Sequence, residues 1–336
     1  MNYEGKKILI IGGTGTMGQH LTRYLLRDNP SVIRILSRDE YKQYEMQQSF
    51  SEYERQLRFL IGDVRDGHRL NRAMEDIDYV FHLAAMKHVP FCEYNPFEAV
   101  QTNIIGTQNM IQAAIQNGVK KVLFTSTDKA IAPTNTYGAS KLMAERLISA
   151  AQYQKGPKQT VFSSVRFGNV MGSRGSVIPL FNKQIQEKQM ITATDLDMTR
   201  YMMTMTQAVT LMLKANELSR GGEVFVLKMP TIRLRDLVDV VIEEVTQKYH
   251  ITDQIQVKEI GLRPGEKRYE ELMTDEEKQV AWELPEMFII PSAFQDNESF
   301  LYPNAQKMVE REVNSHSEEP IDRDTLRAWI REERLL

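Results

Sequence analysis

A short stretch near the middle of the chain concentrates side chains that could move protons. It places Thr127, Asp128 and Lys129 eight to ten positions ahead of Tyr137, which Lys141 follows at a spacing of four. Tyrosine and lysine at that spacing lie on the same face of a helix, where the cation can stabilise a phenolate. With such help a phenol can act as a base near neutral pH. The segment predicts acid/base catalysis, and Asp128-Lys129 adds a second acid/base pair that a simple hydride transfer does not require.

The elements around this segment alternate between apolar β-branched runs and longer amphipathic stretches. Such alternation predicts a parallel sheet with helices on both faces, a Rossmann-type doubly wound α/β fold in which ligands bind beyond the carboxyl ends of the strands. The predicted strands are Lys7–Ile11, Val32–Leu36, Arg58–Ile61, Tyr79–Leu83, Lys121–Ser126 and Val161–Phe167. The predicted helices are Met17–Arg27, Glu40–Tyr53, Asp66–Met74, Pro96–Asn117 and Tyr137–Gln154.

After Gly168 the alternation of predicted strands and helices becomes less regular. Helices are predicted at Pro179–Lys188, Arg235–Tyr249 and around Asp322–Glu333, with a further alternating segment at Val224–Lys228. We expect a dinucleotide-binding domain over residues 1–168. Residues 169–336 should form mainly a smaller α/β substrate-binding domain, with some segments returning to the first. The charged last helix predicts a solvated face rather than a partner-binding segment.

A glycine-rich loop follows the first predicted strand. Its glycines are Gly12, Gly15 and Gly18, and a helix is predicted directly after them. The first permits a tight turn, the second lets the backbone approach a pyrophosphate, and the third lets helix and strand pack closely. The helix N-terminus offers N–H groups and a positive dipole to the phosphates. The loop predicts a dinucleotide cofactor.

Composition excludes several other functions. The chain has 336 residues and a net charge of −3, which gives no basic footprint for nucleic acid or a membrane surface. Cys92 is the single cysteine, so neither a disulfide framework nor a multi-cysteine metal site is possible, and we expect no metal. No apolar run has the length of a membrane span or a secretory signal, so we expect a cytoplasmic protein.

Longer motifs resemble those of the soluble UDP-N-acetylglucosamine 4,6-dehydratases. That family belongs to the extended short-chain dehydrogenases/reductases and acts in bacterial surface-glycan synthesis. The matching stretches lie at residues 126–130, 133–141, 166–176, 197–201 and 263–267, and the resemblance covers residues 5 to 275 or so. It is to the short form of the family, without the membrane helices of its long members.

The resemblance implies a tightly bound, recycled NADP or NAD. At the end of the second strand Arg38 could hold a 2′-phosphate and Asp39 could bind a free ribose hydroxyl, and we favour NADP. Asp63 resembles the residue of the family that contacts adenine, and Ala84 and Ala85 its small-residue loop beside the nicotinamide ribose. The predicted cofactor-binding residues are Gly12, Thr14, Gly15, Thr16, Met17, Gly18, Ser37, Arg38, Asp39, Asp63, Val64, Ala84, Ala85, Lys87, Tyr137 and Lys141.

The resemblance also implies a mechanism for which UDP-N-acetylglucosamine is the substrate. Tyr137, assisted by Lys141 and Thr127, takes the proton of the 4-hydroxyl while C4 gives hydride to the nicotinamide. The 4-ketone acidifies C5, so Lys129 can take the C5 proton while Asp128 protonates the departing 6-hydroxyl. Hydride then returns to C6. A lysine acts as a base only when its pKa is lowered, so we expect Lys129 to be partly desolvated.

Cationic side chains are expected around the diphosphate of such a substrate. The predicted substrate-binding residues are Lys87, His88, Asn169, Arg174, Val177, Arg200, Arg263 and Glu266. His82 and His88 could serve as acid/base groups, although packing is the expected role of His82.

Two other functions stay open at this point. A UDP-sugar 4-epimerase uses the same tyrosine, lysine and cofactor but has no need of Asp128-Lys129, and a non-catalytic NADP-dependent scaffold would not require the intact triad. The configuration at C5 of the product is not set by the sequence. A homo-oligomer is expected from the resemblance, with no partner of another class.

Overall fold

The computed structural model describes residues 2–173, 175–262, 265–294, 302–309 and 311–336. Its strands are β1 (Lys7–Ile11), β2 (Val32–Ser37), β3 (Leu57–Ile61), β4 (Tyr79–His82), β5 (Lys121–Thr125), β6 (Val161–Arg166), β7 (Asn169–Val170), β8 (Met190–Ala193), β9 (Thr199–Met203), β10 (Val224–Leu227), β11 (Thr231–Arg233), β12 (Gln256–Glu259), β13 (Trp282–Glu283), β14 (Met287–Ile290) and β15 (Gln306–Lys307).

The helices are of three kinds. Short 3₁₀ turns lie at Ser51–Tyr53 and Asp128–Ala130, and a π-helical segment lies at Val100–Ile105. The α-helices are α1 (Thr16–Leu26), α2 (Glu40–Ser49), α3 (Gly67–Met74), α4 (Val89–Tyr94), α5 (Pro96–Ala99), α6 (Gly106–Gln116), α7 (Thr136–Gln154), α8 (Val177–Lys188), α9 (Met205–Leu218), α10 (Leu234–Tyr249), α11 (Asp275–Val280) and α12 (Arg323–Glu332).

The main sheet has ten strands in the order β15-β13-β14-β10-β6-β5-β4-β1-β2-β3. Strands β1 to β6 and β10 run parallel, and the six of the first half follow the order of a doubly wound nucleotide-binding fold. The predicted fold class is therefore confirmed. All six strands predicted in the first half form, each within one residue of its predicted ends.

Both faces of this sheet are covered, which explains the continuous apolar runs of the sequence. In β1 the side chains of Ile8 and Ile10 enter one buried cluster, while those of Leu9 and Ile11 enter another on the opposite face. Helices α3, α6 and α7 pack side by side over one face, and α1 and α9 pack together on the other. A strand buried on both faces reads as an unbroken run of Ile, Leu and Val.

The second half of the chain contributes to the main sheet as well as to smaller ones. Strand β10 pairs with β6, and the antiparallel strands β14, β13 and β15 extend the same edge. Separate small sheets join β11, β9 and β7, and β12 with β8. Helices α8, α10 and α12 pack around a third apolar cluster. The division into two domains at residue 168 stays a prediction.

Three features of the fold differ from the sequence-based expectation. The helix predicted over Pro96–Asn117 is interrupted by the π-helical segment. Helix α9 was not expected at all. The arginines of α12 are not simply solvated: Arg323 and Arg327 bind Asp239 and Glu243 of α10 at 2.6 Å, so the charged helix docks on a neighbour of opposite charge.

A buried ion cluster connects β6 and α7 to a segment near the C-terminus, residues 272–277. Arg166, at the end of β6, is fully buried and pairs with Glu145 of α7 at 2.6 Å and with Glu277 of α11 at 2.9 Å. It also donates to the Leu272 carbonyl at 3.0 Å. Burial opposes the charge, but the two carboxylates outweigh it and raise the pKa of Arg166. The cluster ties β6, α7 and residues 272–277 together.

Across the described ranges, the longest apolar stretches within helices fall short of what a bilayer span needs. The cytoplasmic location stays a prediction.

Candidate active site

A single long groove runs across the carboxyl ends of the parallel strands. Its volume is about 1120 Å³, and its lining begins at Ile11 and Gly12, passes the segment 125–141 and ends at Glu270 and Glu271. The groove therefore joins the glycine loop to the acid/base segment. Its position is the one that ligands occupy in open α/β sheets.

The glycine loop at one end of the groove is packed too tightly for larger residues. Gly12 has a φ of +82°, and a Cβ there would lie 2.8 Å from the backbone nitrogen of Ala84. A Cβ on Gly18 would lie 2.4 Å from the Gly13 carbonyl oxygen. Gly15 is the N-cap of α1 and provides no side-chain cap, so the first N–H groups of the helix point towards the groove. Loop and helix fit a dinucleotide pyrophosphate.

The residues after β2 decide the environment of the adenosine ribose. Asp39 caps α2 by accepting from the Lys42 N–H at 3.0 Å, and its carboxylate pairs with the Lys42 ammonium at 2.5 Å. Arg38 is 60% exposed and lines the groove together with Ser37. Arg38 also pairs with Asp63 at 3.6 Å, so both cations at the groove already have a carboxylate partner.

The other predicted cofactor residues divide between the groove wall and its surroundings. Thr14, Thr16, Met17, Val64, Ala84, Ala85 and Lys87 line the groove. Asp63 lies just outside it: its carboxylate accepts from Arg65 at 2.8 Å, and this hydrogen bond and charge outweigh burial and lower the pKa of Asp63. Adenine contact by Asp63 stays a prediction.

Tyr137 and Lys141 lie on α7 and both face the groove, but the structure does not pair them in the expected way. Lys141 donates to the Thr125 carbonyl at 2.5 Å and its Nζ lies 3.9 Å from the centre of the Phe124 ring. Burial lowers the pKa of Lys141 to about 7 and raises that of Tyr137 to about 12. The cation that favours the Tyr137 phenolate here is Lys129, and Tyr137 also hydrogen-bonds Thr127.

Local geometry brings the two halves of the acid/base segment together. Asn135 caps α7 by accepting from the Gly138 N–H at 2.9 Å, which starts the helix one residue before Tyr137. A Cβ on Gly138 would lie 2.0 Å from the Lys129 carbonyl oxygen. Glycine at this position therefore lets the helix that carries Tyr137 contact the 3₁₀ turn that carries Asp128 and Lys129.

Asp128 and Lys129 form an ion pair at the floor of the groove. Lys129 Nζ lies 3.1 Å and 3.2 Å from the two oxygens of Asp128, and Thr127 Oγ1 donates to Asp128 at 2.7 Å. Burial disfavours the Asp128 anion, but the Lys129 charge and the Thr127 hydroxyl outweigh it and lower the pKa of Asp128. Carboxylate and ammonium thus stabilise one another's charged forms.

The Lys129 side chain is partly buried, in line with the expected desolvation, but the direction of its pKa is not the one that a base requires. The side chain is 32% exposed, and burial does disfavour its charge. Two carboxylates, those of Asp128 and Glu270, outweigh that effect and raise the pKa of Lys129. The surroundings of Lys129 therefore favour its ammonium form.

Glu270 is the site residue that the sequence did not reveal. Its side chain is buried, and Oε1 lies 3.3 Å from Lys129 Nζ. Asn169 Nδ2 donates to both its oxygens, at 3.1 Å and 3.0 Å, and the Tyr201 N–H donates at 3.0 Å. Burial and the Asp128 charge raise the pKa of Glu270 to about 7. Within the run Lys-Arg-Tyr-Glu-Glu no signal separates this glutamate from a surface charge.

Those predicted substrate residues that the structure describes line the groove: Lys87, His88, Asn169, Val177, Arg200 and Glu266. Burial lowers the pKa of His88. Arg200 is engaged with the segment that follows the glycine-containing loop at 265: it donates to the Lys267 carbonyl at 2.7 Å and lies 3.5 Å from Glu266. Arg174 and Arg263 lie outside the described residues.

The two histidines differ in their surroundings. His82 is fully buried, its Nε2 lies 3.2 Å from Thr107 Oγ1, and burial lowers its pKa to about 3. The expectation that it packs rather than exchanges protons is confirmed. Cys92 is also buried. Among the described residues no group of three or more His, Cys, Asp or Glu side chains could hold a metal ion.

Comparison with known proteins agrees with this geometry. A family model described as "Polysaccharide biosynthesis protein" matches residues 8–292. The chain is 43% identical over 307 residues to a UDP-N-acetylglucosamine 4,6-dehydratase (inverting) of Campylobacter jejuni, covering 90% of this chain and 88% of that one. It is 41% identical over 293 residues to a UDP-glucose 4-epimerase of Rickettsia conorii, covering 86% and 84%.

A solved structure is similar over the whole chain. The X-ray structure of Pen from Bacillus thuringiensis is 54% identical, with a TM-score of 0.94 and complete coverage of both chains.

Fold and site together define an enzyme of the nucleotide-sugar dehydratase and epimerase type. The chain belongs to the polysaccharide biosynthesis protein family.

Proposed function

We propose that the protein is a UDP-N-acetylglucosamine 4,6-dehydratase that makes a UDP-4-keto-6-deoxy sugar. The observation that carries this proposal is the ion pair of Asp128 and Lys129 beside Tyr137, since an epimerase needs the tyrosine but neither of the other two. The relative from Campylobacter jejuni supports it by name.

A bound nicotinamide supplies the hydride acceptor at C4 and later the hydride donor at C6. The residues that would hold the cofactor are those of the glycine loop, with Arg38 and Lys42 near the adenosine ribose. Because Asp39 is engaged with Lys42, we propose NADP as the cofactor. Burial lowers the pKa of Lys141 to about 7, so its amine can hydrogen-bond the bound ribose and, when protonated, favours the Tyr137 phenolate.

The residues divide the work between two steps. Tyr137 takes the proton of the 4-hydroxyl, with Thr127 as its hydrogen-bond partner. The resulting ketone acidifies C5; Lys129 takes that proton, and Asp128 protonates the departing 6-hydroxyl, so water leaves across C5–C6. The substrate would be held in the groove by Lys87, His88, Asn169, Val177, Arg200 and Glu266, together with Arg174 and Arg263.

Incubation with UDP-N-acetylglucosamine tests the proposal. The expected product is lighter than the substrate by one water molecule, and an isomer of unchanged mass would instead identify an epimerase. With substrate deuterated at C4, proton NMR should find the deuterium in the C6 methyl group. The couplings of the same spectrum give the configuration at C5.

A separate substitution tests the role of Lys129 as the base at C5. Lys129→Met should keep nucleotide binding and C4 oxidation but lower the rate of water loss by at least about 100-fold. Lys183→Met is the matched control, because Lys183 lies on α8 with 68% of its side chain exposed. Water loss by Lys129→Met at a rate close to that of the control would contradict the assignment.

A further inference from the structure

The charges of the free site are the opposite of those that elimination requires. A base at C5 must be a neutral amine, and an acid at the 6-hydroxyl must be a protonated carboxyl. The structure instead stabilises Lys129 as an ammonium between two carboxylates and Asp128 as an anion. Some event between C4 oxidation and elimination must therefore move a proton within the cluster.

Glu270 is placed to take part in that event. Its Oε1 lies 3.3 Å from Lys129 Nζ, which lies 3.1 Å from Asp128, so the two carboxylates share one ammonium. The charged groups that face it are Asp128, Lys129 and Arg200, the last at 3.5 Å. Its remaining contacts are N–H donors, and its own backbone N–H donates to Ser315 Oγ at 2.9 Å. Glu270 thus contacts the ion pair through Lys129.

A chain of hydrogen bonds connects Glu270 to the oxidation step. Tyr137 hydrogen-bonds Thr127, and Thr127 Oγ1 donates to Asp128 at 2.7 Å. Lys129 Nζ donates to Asp128 at 3.1 Å and to Glu270 at 3.3 Å, which completes the chain. Each member can pass on one proton as it receives another. When Tyr137 takes the 4-hydroxyl proton, the phenolic proton can move to Thr127 and the threonine proton to Asp128.

We propose that Glu270 is a proton-storing residue, which holds a proton of Lys129 while the 6-hydroxyl leaves. The inference rests on the proposed dehydratase function. It makes Glu270 a positioning residue, since it acts through Asp128 and Lys129 and not on the sugar.

The protons balance through one turnover. After oxidation Asp128 carries the proton from Thr127, and Lys129 can give one of its own to Glu270 across 3.3 Å, which leaves a neutral amine beside a protonated carboxyl. The C5–H bond then breaks towards Lys129, the C6–O bond breaks as Asp128 protonates the oxygen, and a C5–C6 double bond forms. When hydride has returned to C6 and the proton on Lys129 has returned to C5, directly or through an acid on the other face of the ring, the proton of Glu270 moves to Lys129 and restores the starting charges.

The variant Glu270→Gln removes the store while keeping the size of the side chain. Without a second carboxylate, Lys129 cannot lose its proton once Asp128 is protonated. We expect C4 oxidation, measured as the near-ultraviolet absorbance of the reduced nicotinamide in a single turnover, within about three-fold of the wild-type rate. Water loss, measured by rapid quenching and mass spectrometry, should fall by about 100-fold, so that the ketone accumulates.

Dependence on pH separates proton storage from a structural role. In the variant, water loss should accelerate as pH rises, because solvent must then discharge Lys129. In the wild type, water loss should slow as pH falls through about 7, because the store is then already full, and this acidic limb with its midpoint near 7 should vanish in the variant. Glu276→Gln is the matched control: its side chain is exposed on α11, outside the groove, and the variant should behave as the wild type.

Three results would overturn the proposal. Water loss by Glu270→Gln within about three-fold of the control would show that no store is needed. Equal losses in both steps with an unchanged pH profile would indicate a structural role. If Glu270→Gln does not fold, Glu270→Asp must keep the acidic limb, and its absence would be decisive. An isomer as the wild-type product would defeat the dehydratase proposal instead, independently of Glu270.

Discussion

Helix α7 and the Asp128–Ala130 turn are in such close contact at Gly138 that even a methyl group there should greatly lower the rate of water loss. In Gly138→Ala the new methyl group would lie 2.0 Å from the Lys129 carbonyl oxygen and 3.0 Å from the carbon of the same group. Ordinary van der Waals separation requires the turn to retreat by about 1.4 Å. The obstacle is backbone, so no side-chain rotation can relieve it.

Two magnitudes follow from that displacement. Misplacement of catalytic groups by about 1 Å can cost about 100-fold in rate, so kcat for water loss should fall by at least that factor. Overpacking should lower the free energy of unfolding by about 1–3 kcal/mol. Cofactor affinity should change little, because the glycine loop lies at the other end of the groove.

The assay compares this variant with a second glycine-to-alanine change. In Gly67→Ala the nearest atoms are those of Asn109 at 3.6 Å, an ordinary contact, so rate and stability should stay near the wild type. Water loss is followed by mass spectrometry, cofactor affinity by fluorescence titration, and unfolding by urea. A kcat for Gly138→Ala within about three-fold of Gly67→Ala, in a folded protein, would refute the reasoning.

Two further changes test other parts of the structure. Arg38→Ala should weaken NADP binding by about 10-fold or more and leave NAD binding unchanged, as measured by titration with each dinucleotide; equal losses for both would contradict a phosphate site at the end of β2. Arg166→Met leaves two buried carboxylates without their cation, so urea unfolding should show a loss of about 3–5 kcal/mol, whereas a loss below about 1 kcal/mol would mean that solvent reaches them.

In the first half of the chain, the local sequence pattern was sufficient to predict the strands and the fold class. Strands that are buried on both faces, such as β1, show continuous apolar runs. The β1–α1 unit is also local, because its strand, its glycines and its helix follow one another within a few positions. The second half gave weaker signals because its pairings are distant: β10 pairs with β6 some 60 residues earlier. Helix α9, by contrast, has buried residues at helical spacing, among them Met205, Ala208, Val209, Met212 and Ala215, so its own sequence does carry the pattern of an amphipathic helix.

For the candidate site, too, the sequence revealed the residues of a local motif but not the partner that is distant in the chain. The segment 125–141 carries its own motif, so Thr127, Asp128, Lys129 and Tyr137 could be named from the sequence, and the structure gathers them. The pKa direction of Lys129 could not, because it depends on Glu270, which is 141 residues away. Sequence periodicity contains no information on which distant carboxylate will lie 3.3 Å from an amine.

The buried cluster around Arg166 also constrains how the protein is made. During synthesis β6 and α7 leave the ribosome long before Glu277, so the nascent sheet contains an arginine with only one of its two carboxylate partners. Strand β14, which pairs with β10, arrives later still. Domains generally fold as units as they emerge, but here the sheet is complete only near residue 307, where β15 pairs with β13. A nascent chain stalled before that point would expose an unfinished sheet edge to chaperones and proteases.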